Sequence, residues 1–324
     1  MIGSWLIKEL LARNAIITVL VQDMAPQSEL CRSRDIERVS VVNGTLEEFW
    51  TLERAVVLYE IDTVFHLGAQ TIVPVAHQSP FLTFETNIRG TYNLLEICRL
   101  HPNLIRRILI ASSDKAYGEQ TTLPYTEDMP LNGRHPYEVS KSCADLIAQA
   151  YAKTYGLGVA IARCGNVFGG GDLNWSRLVP DTIRSLHHGE RPVIRSDGTY
   201  LRDYIYVKDV TQAYLRLAES LQNNQVRGDA FNFSLENPIN VLEMVTQIRK
   251  FMDCMVLEPR IQDCVVGEIR KQHLSSVKAR TILGWKPMYS LEAGLKETID
   301  WYRCFFGKKL ISEMSKTPCQ TQAI

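Results

Sequence analysis

Short apolar, β-branched runs alternate with longer amphipathic segments through the first half of the chain. This alternation narrows the folds open to it. Residues 15–21, 62–67, 107–111 and 158–163 read as strands, and 84–100 and 136–155 read as helices between them. Strands separated by helices in this way form a doubly wound parallel α/β sheet. At 324 residues the chain can fill one large domain or two unequal ones. Its 36 basic and 36 acidic residues cancel. No bulk attraction to nucleic acid or to an anionic membrane is therefore expected. No run approaches the ~18 apolar residues of a membrane span, and no signal peptide is evident, so a cytoplasmic protein is expected. The eight cysteines are scattered, with no Cys-x-x-Cys pair and no neighbouring histidine cluster. Neither a zinc site nor a disulfide framework is expected.

After Asn166 the rhythm changes. "GGGD" at 169–172 reads as a loop, and "RLVPDTIRSLHHG" as a helix with Gly189 just past its end. "PVIRSDGTYLRDYIYV" reads as a strand pair turning at Asp197-Gly198. A helix at 207–222, the turn "LGWKP" and a final amphipathic helix at 291–304 follow. The expected division is a cofactor domain over 1–166 and a smaller substrate domain over 167–306, some of whose segments return to the first. A frayed tail is expected over 307–324.

Chemistry concentrates in two segments. In "HPYEVSKSCADLIAQAYAKTYG", Tyr137 and Lys141 stand four apart on a helix starting near Pro136, which puts them on one face. An ammonium beside a phenol favours phenolate, and a phenolate can take an alcohol proton as hydride leaves the same carbon. In "RRILIASSDKAYGE" a strand ends in Ser112, Ser113, Asp114 and Lys115. The carboxyl ends of sheet strands are where open α/β folds bind ligands.

Together these segments, with "GSWL", "VFHLGAQ", "ETNIRGTYNLLEICR", "RCGNVFGGGD", "RLVPD", "LRDYIYVKDV" and "LGWKP", carry a resemblance spanning Gly3 to about Trp301. The chain resembles the extended short-chain dehydrogenase/reductase superfamily, and within it the nucleotide-sugar 4,6-dehydratases. The pair Asp114-Lys115 followed by "GNVFGGGD" and "RLVPD" looks most like CDP-glucose 4,6-dehydratases. The segment "VIRSDGTYLRDYIYVKDV" is closer to the general dehydratase/epimerase pattern, which leaves the nucleotide and hexose open.

The resemblance implies a Rossmann domain holding NAD and a C-terminal domain holding a nucleotide-diphosphate hexose. It implies that Tyr137 takes the C4 hydroxyl proton, Ser113 hydrogen-bonds the C4 oxygen, and Lys141 lowers the tyrosine pKa and holds the nicotinamide ribose. Lys115 then assists C5 proton removal, as base or as charge stabiliser, and Asp114 protonates the departing C6 hydroxyl. NAD would be regenerated each turnover. The implied cofactor residues are Gly3, Asp23, Leu67, Gly68, Ala69, Gln70, Tyr137 and Lys141. Only a small side chain is expected to fit at Gly3, and His66 is expected to be a packed strand-end residue. The implied substrate residues are Asn166, Arg177 and Arg202, with Arg195 and Arg270 as further candidates. Tyr204 and Tyr206 are expected in the core. Two amphipathic helices are expected to pair with a second copy in a four-helix homodimer interface.

"MIGSWL" matches the tail of a family stretch whose first strand and first two glycines are absent from this sequence. That strand would lie between 15–21 and 62–67. The chain as written, read as N-terminally truncated, is expected to fold poorly and bind NAD poorly. Two other functions stay open: an NAD-dependent 4-epimerase, separated by its isomeric product, and a non-catalytic nucleotide-sugar-binding remnant, separated by the absence of releasable NAD.

Overall fold

The structure is a computed structural model that describes residues 1–264 and 268–307. Helix α1 (Ile2–Ala12) leads to strand β1 (Thr18–Val21), short helix α2 (Glu29–Arg32) and β2 (Ser40–Asn43). β1 and β2 pair in parallel as a two-stranded sheet of their own. Helix α3 (Phe49–Leu58) precedes β3 (Thr63–His66). Short helices α4 (Val73–Gln78) and α5 (Pro80–Phe84) then run through a π-helical stretch, Glu85–Arg89, into α6 (Gly90–Leu100). β4 (Arg107–Ser113), α7 (Pro136–Tyr155) and β5 (Val159–Cys164) complete the alternating half.

β6 (Asn166–Phe168), α8 (Leu178–His187), β7 (Val193–Ile194), β8 (Leu201–Arg202) and β9 (Tyr204–Tyr206) follow. Then come α9 (Val207–Ser220), β10 (Ala230–Phe233), β11 (Ile239–Asn240) and α10 (Val241–Phe251). The last elements are β12 (Arg260–Ile261), β13 (Lys271–Gln272), α11 (Val277–Leu283) and α12 (Leu291–Phe306). β10 returns to the first half and pairs in parallel with β5, giving a four-stranded sheet in the order β10-β5-β4-β3.

The alternation of β4 explains why this sheet is covered on both faces. Leu109, with Ala160 and Ala162 of β5, packs towards Leu6 of α1 and Tyr214 and Leu217 of α9. Ile108 and Ile110, with Val159 and Ile161, pack the other way against Leu94 and Ile97 of α6 and Ala148 of α7. Strands apolar on both faces belong in a buried parallel sheet. Tyr204 and Tyr206 are buried in a further core with α8, α10 and α12. No helix among the described residues is long and apolar enough to cross a membrane.

Two features depart from the simple α/β pattern. β7 and β8 flank the expected turn, and Gly198 adopts φ +88°, yet they are not partners. β7 pairs with β12, and β8 lies between β11 and β13. Each is two residues long, so long-range partners outweigh the local hairpin signal. Second, β1 and β3 belong to different sheets and face one cavity of about 1320 Å³. Leu6, Ile7 and Leu10 of α1 and Leu52 and Val56 of α3 also line it. The break in the sheet falls between 15–21 and 62–67, the interval marked in the sequence. The tail 308–324 lies outside the described residues.

Candidate active site

β4 ends at Ser113, whose side chain accepts from the Lys115 amide (3.2 Å) and so starts the 3₁₀ turn Asp114–Tyr117. That turn swings two charged side chains together. Lys115 Nζ donates to Asp114 Oδ2 at 3.0 Å, and Ser113 Oγ donates to Asp114 Oδ1 at 3.0 Å. Asp114 is only 3% exposed. The turn rests on a buried polar network. Arg163 holds Asp145 through two bonds of 2.9 Å and donates to the Tyr117 hydroxyl at 2.8 Å, which donates in turn to Asn232 Oδ1 at 2.8 Å. Forked arginine–carboxylate pairing of this kind fixes orientation as well as charge.

α7 starts with Pro136 in its first turn and a capping box between His135 and Glu138, and ends at Gly156 in the left-handed region. Tyr137 and Lys141 share one face, as the spacing requires, but their electrostatic relation differs from the expected one. Lys141 Nζ donates to the Ala111 carbonyl at 2.8 Å, and burial pushes its pKa down to about 8, with Asp145 pulling it back. Burial pushes the Tyr137 phenol up to about 12. The cation that opposes this is Arg177, helped by a hydrogen bond to Ser113, while the charge of Asp114 adds to it. The Lys141 ammonium is bound by the β4 carbonyl of Ala111.

Gly3, Asp23, Leu67, Gly68, Ala69 and Gln70 all line the large cavity, so one cleft gathers six of the eight expected cofactor residues. Tyr137 and Lys141 are not part of that lining. Asp23 is exposed at its rim. A Cβ at Gly3 would meet Leu67 Cδ1 at 3.9 Å, an ordinary contact, so the expected steric need for glycine there is not found. The sheet opens beside α1, and closer approaches fall at Gly68 and Gly90, where a Cβ would meet Leu46 at 2.9 and 2.6 Å, and at Gly44, where it would meet Thr51 at 2.7 Å. His66 is buried against the Thr91 hydroxyl at 2.9 Å, and burial lowers its pKa to about 3. It is a neutral packing residue.

Asn87 was not singled out from the sequence. It sits in the π-helical stretch, accepts from the Gln70 amide at 2.7 Å, and donates to the Gln70 carbonyl at 3.0 Å and Ser140 Oγ at 2.9 Å. A π-bulge inside an α-helix redirects one side chain, here onto the cofactor-side loop. A buried asparagine within an amphipathic helix was the available signal.

The expected substrate residues divide into groups. Arg177, at the start of α8, binds Asp172 at 3.0 Å and acts on Tyr137. Asn166 opens β6, its amide donating to the Asp203 carbonyl at 2.9 Å. Arg202 is buried, pairs with Glu268 at 2.8 Å, and places its guanidinium 5.6 Å from the Tyr200 ring. Arg270 is exposed and lies at the same distance from that ring. Arg195 is exposed beyond β7, its carbonyl accepting from the Cys264 amide at 2.8 Å.

A family model described as GDP-mannose 4,6 dehydratase matches residues 1–298. The CDP-glucose 4,6-dehydratase of Salmonella typhimurium is 28% identical, over 94% of this chain and 88% of the relative. Among solved structures, the UDP-glucose 4-epimerase of Thermotoga maritima with UDP-glucose superposes at a TM-score of 0.86 and 26% identity, covering 95% of this chain and 97% of that one. The dTDP-glucose 4,6-dehydratase of Bacillus anthracis in complex with NAD gives 0.82 and 26%, covering 94% of each chain. Gly3, Asp23 and the loop from Leu67 to Gln70, the residues expected to hold a dinucleotide, line one cleft. The chain thus belongs to the GDP-mannose 4,6 dehydratase family, NAD-dependent members of the extended short-chain dehydrogenase/reductase superfamily.

Proposed function

We propose that this chain is a nucleotide-sugar 4,6-dehydratase that converts an NDP-hexose, CDP-D-glucose first among them, to the 4-keto-6-deoxy sugar. The observation that carries this reading is the Asp114–Lys115 pair, 3.0 Å apart beside Ser113 at the end of β4. Oxidation and reduction at C4 alone need a proton acceptor and an oxygen-binding hydroxyl, which Tyr137 and Ser113 supply. An added acid and ammonium serve a second reaction, loss of water across C5 and C6.

NAD, when bound in the cleft, supplies the hydride acceptor and donor. The Tyr137 oxygen takes the C4 hydroxyl proton, with Arg177 and Ser113 opposing the burial that raises the phenol's pKa. The 4-ketone acidifies C5. Lys115, a neutral amine once its proton has passed along the 3.0 Å bond to Asp114, takes the C5 proton, and Asp114 gives its proton to the C6 hydroxyl, which leaves as water. Arg202 and Arg270, each 5.6 Å from the Tyr200 ring, offer charge for the nucleotide diphosphate. Exposed Phe81 and Leu82 of α5, Tyr92 and Leu100 of α6, and Leu146 and Tyr155 of α7 support a homodimer paired through these helices.

The likeness to a 4-epimerase favours one other reading, reversal of configuration at C4. Incubating the NAD-loaded protein with CDP-, GDP-, UDP- and dTDP-hexoses and weighing the products separates the two. Loss of one water is the expected result. An isomer of unchanged mass supports the epimerase, and no product from any of them contradicts both.

A further inference from the structure

The Asp114–Lys115 pair does not stand alone. Gln272, fully buried on β13, reaches across 157 positions of sequence to accept from Lys115 Nζ through Oε1. Its other end, Nε2, donates to the Asp114 carbonyl at 2.8 Å. One amide therefore holds both the side chain of Lys115 and the backbone that carries Asp114. β13 pairs in parallel with β8, and the register sets Gln272 opposite Arg202. Arg202 Nη1 donates to the Arg270 carbonyl at 3.3 Å, and both guanidinium groups lie at Tyr200. The ladder that fixes the candidate diphosphate-binding arginines thus also fixes Gln272.

We propose that Gln272 is a positioning residue, which sets Lys115 and Asp114 for water elimination and ties their placement to the strand ladder that bears Arg202. This inference rests on the dehydratase reading. Without Gln272, the Lys115 ammonium keeps Asp114 as its one partner among the described residues, and the pair is free to swing away from C5. The contact that matters is an acceptor for the ammonium and a donor for the carbonyl, both of which one planar amide supplies.

Gln272→Met keeps the buried volume and removes both bonds. The expected result is a kcat lower by roughly tenfold to a hundredfold, as for other groups that orient a reacting side chain, with KM changed less than about threefold. Solvent deuterium uptake at C5 should fall in step with kcat. Because Gln272 acts through Lys115, adding Gln272→Met to Lys115→Met should cost less than about twofold more. A Gln272→Met enzyme with the parent's kcat and C5 exchange would overturn the proposal, and so would losses that simply multiply in the double variant. If the parent removes water from no nucleotide hexose, the dehydratase reading falls and this inference with it. A parent that removes water beside an unaffected Gln272→Met variant overturns the Gln272 role alone.

Discussion

Asp203 is buried between β8 and β9, its carboxylate accepting from Ser234 Oγ and feeling the charge of Asp114. Burial pushes its pKa up to about 6 from an ordinary 3.8, against the pull of the Ser234 bond. The unfolded chain releases this proton near its ordinary pKa, whereas the folded chain holds it until about pH 6. The stabilisation is therefore complete below the ordinary pKa and lost as pH rises through that window. Asp203→Asn removes the charge and keeps the shape. Thermal melts should show the variant more stable than the parent at about pH 8, by at most ~3 kcal/mol, with the gain vanishing at about pH 4. A variant less stable than the parent at about pH 8 would show that the carboxylate is needed ionised. The candidate site residues stand out in the sequence through short spacings: Ser113, Asp114 and Lys115 are consecutive, and Tyr137 and Lys141 are one helical turn apart. The electrostatic partner of Tyr137 does not, because Arg177 comes from another helix and Lys141 is satisfied by a strand carbonyl.

Among the elements, β4 and α7 were readable because local chemistry and burial agree. The strand expected at 107–111 runs Arg107–Ser113, and the helix expected at 136–155 has those bounds. Pro136 at its start and Gly156 at φ +69° past its end mark it in the sequence. The π-helical stretch was not readable, since one added residue leaves an apolar helix pattern intact, and the expected helix at 84–100 absorbed it. That stretch aims Asn87 at Gln70 and Ser140. Asn87→Ala leaves the Gln70 amide and carbonyl without these partners, at a cost of about 1–3 kcal/mol. A denaturant titration should record that loss, and an NAD titration should show weaker binding as the loop loosens. Unchanged NAD affinity would place the role of Asn87 in folding alone. Gln272 was beyond local reading too, since no spacing rule links positions 115 and 272.

For the whole molecule, the parallel α/β class followed from the alternation of strands and helices, whereas the division of its strands into separate sheets did not. β4 and β5 are paired on both sides, but β1 and β3 are each paired on one side and face the cavity of about 1320 Å³. Backbone groups on such edges lack ladder partners and open easily. Hydrogen exchange followed by mass spectrometry should therefore find Thr18–Val21 and Thr63–His66 less protected than Arg107–Ser113 and Val159–Cys164. Equal protection across all four strands would mean that the two sheets behave as one.

The central claim is that the residues at the end of β4 add water elimination to the redox chemistry of the Tyr137 face. Elimination and reprotonation leave a mark that isomerisation does not, a hydrogen at C5 drawn from solvent. The direct measurement is the mass of the product formed in deuterium oxide from the nucleotide hexose the protein accepts. The account predicts a sugar lighter by one water and carrying one solvent-derived deuterium at C5. An isomer of the starting mass, with no deuterium on carbon, would contradict it.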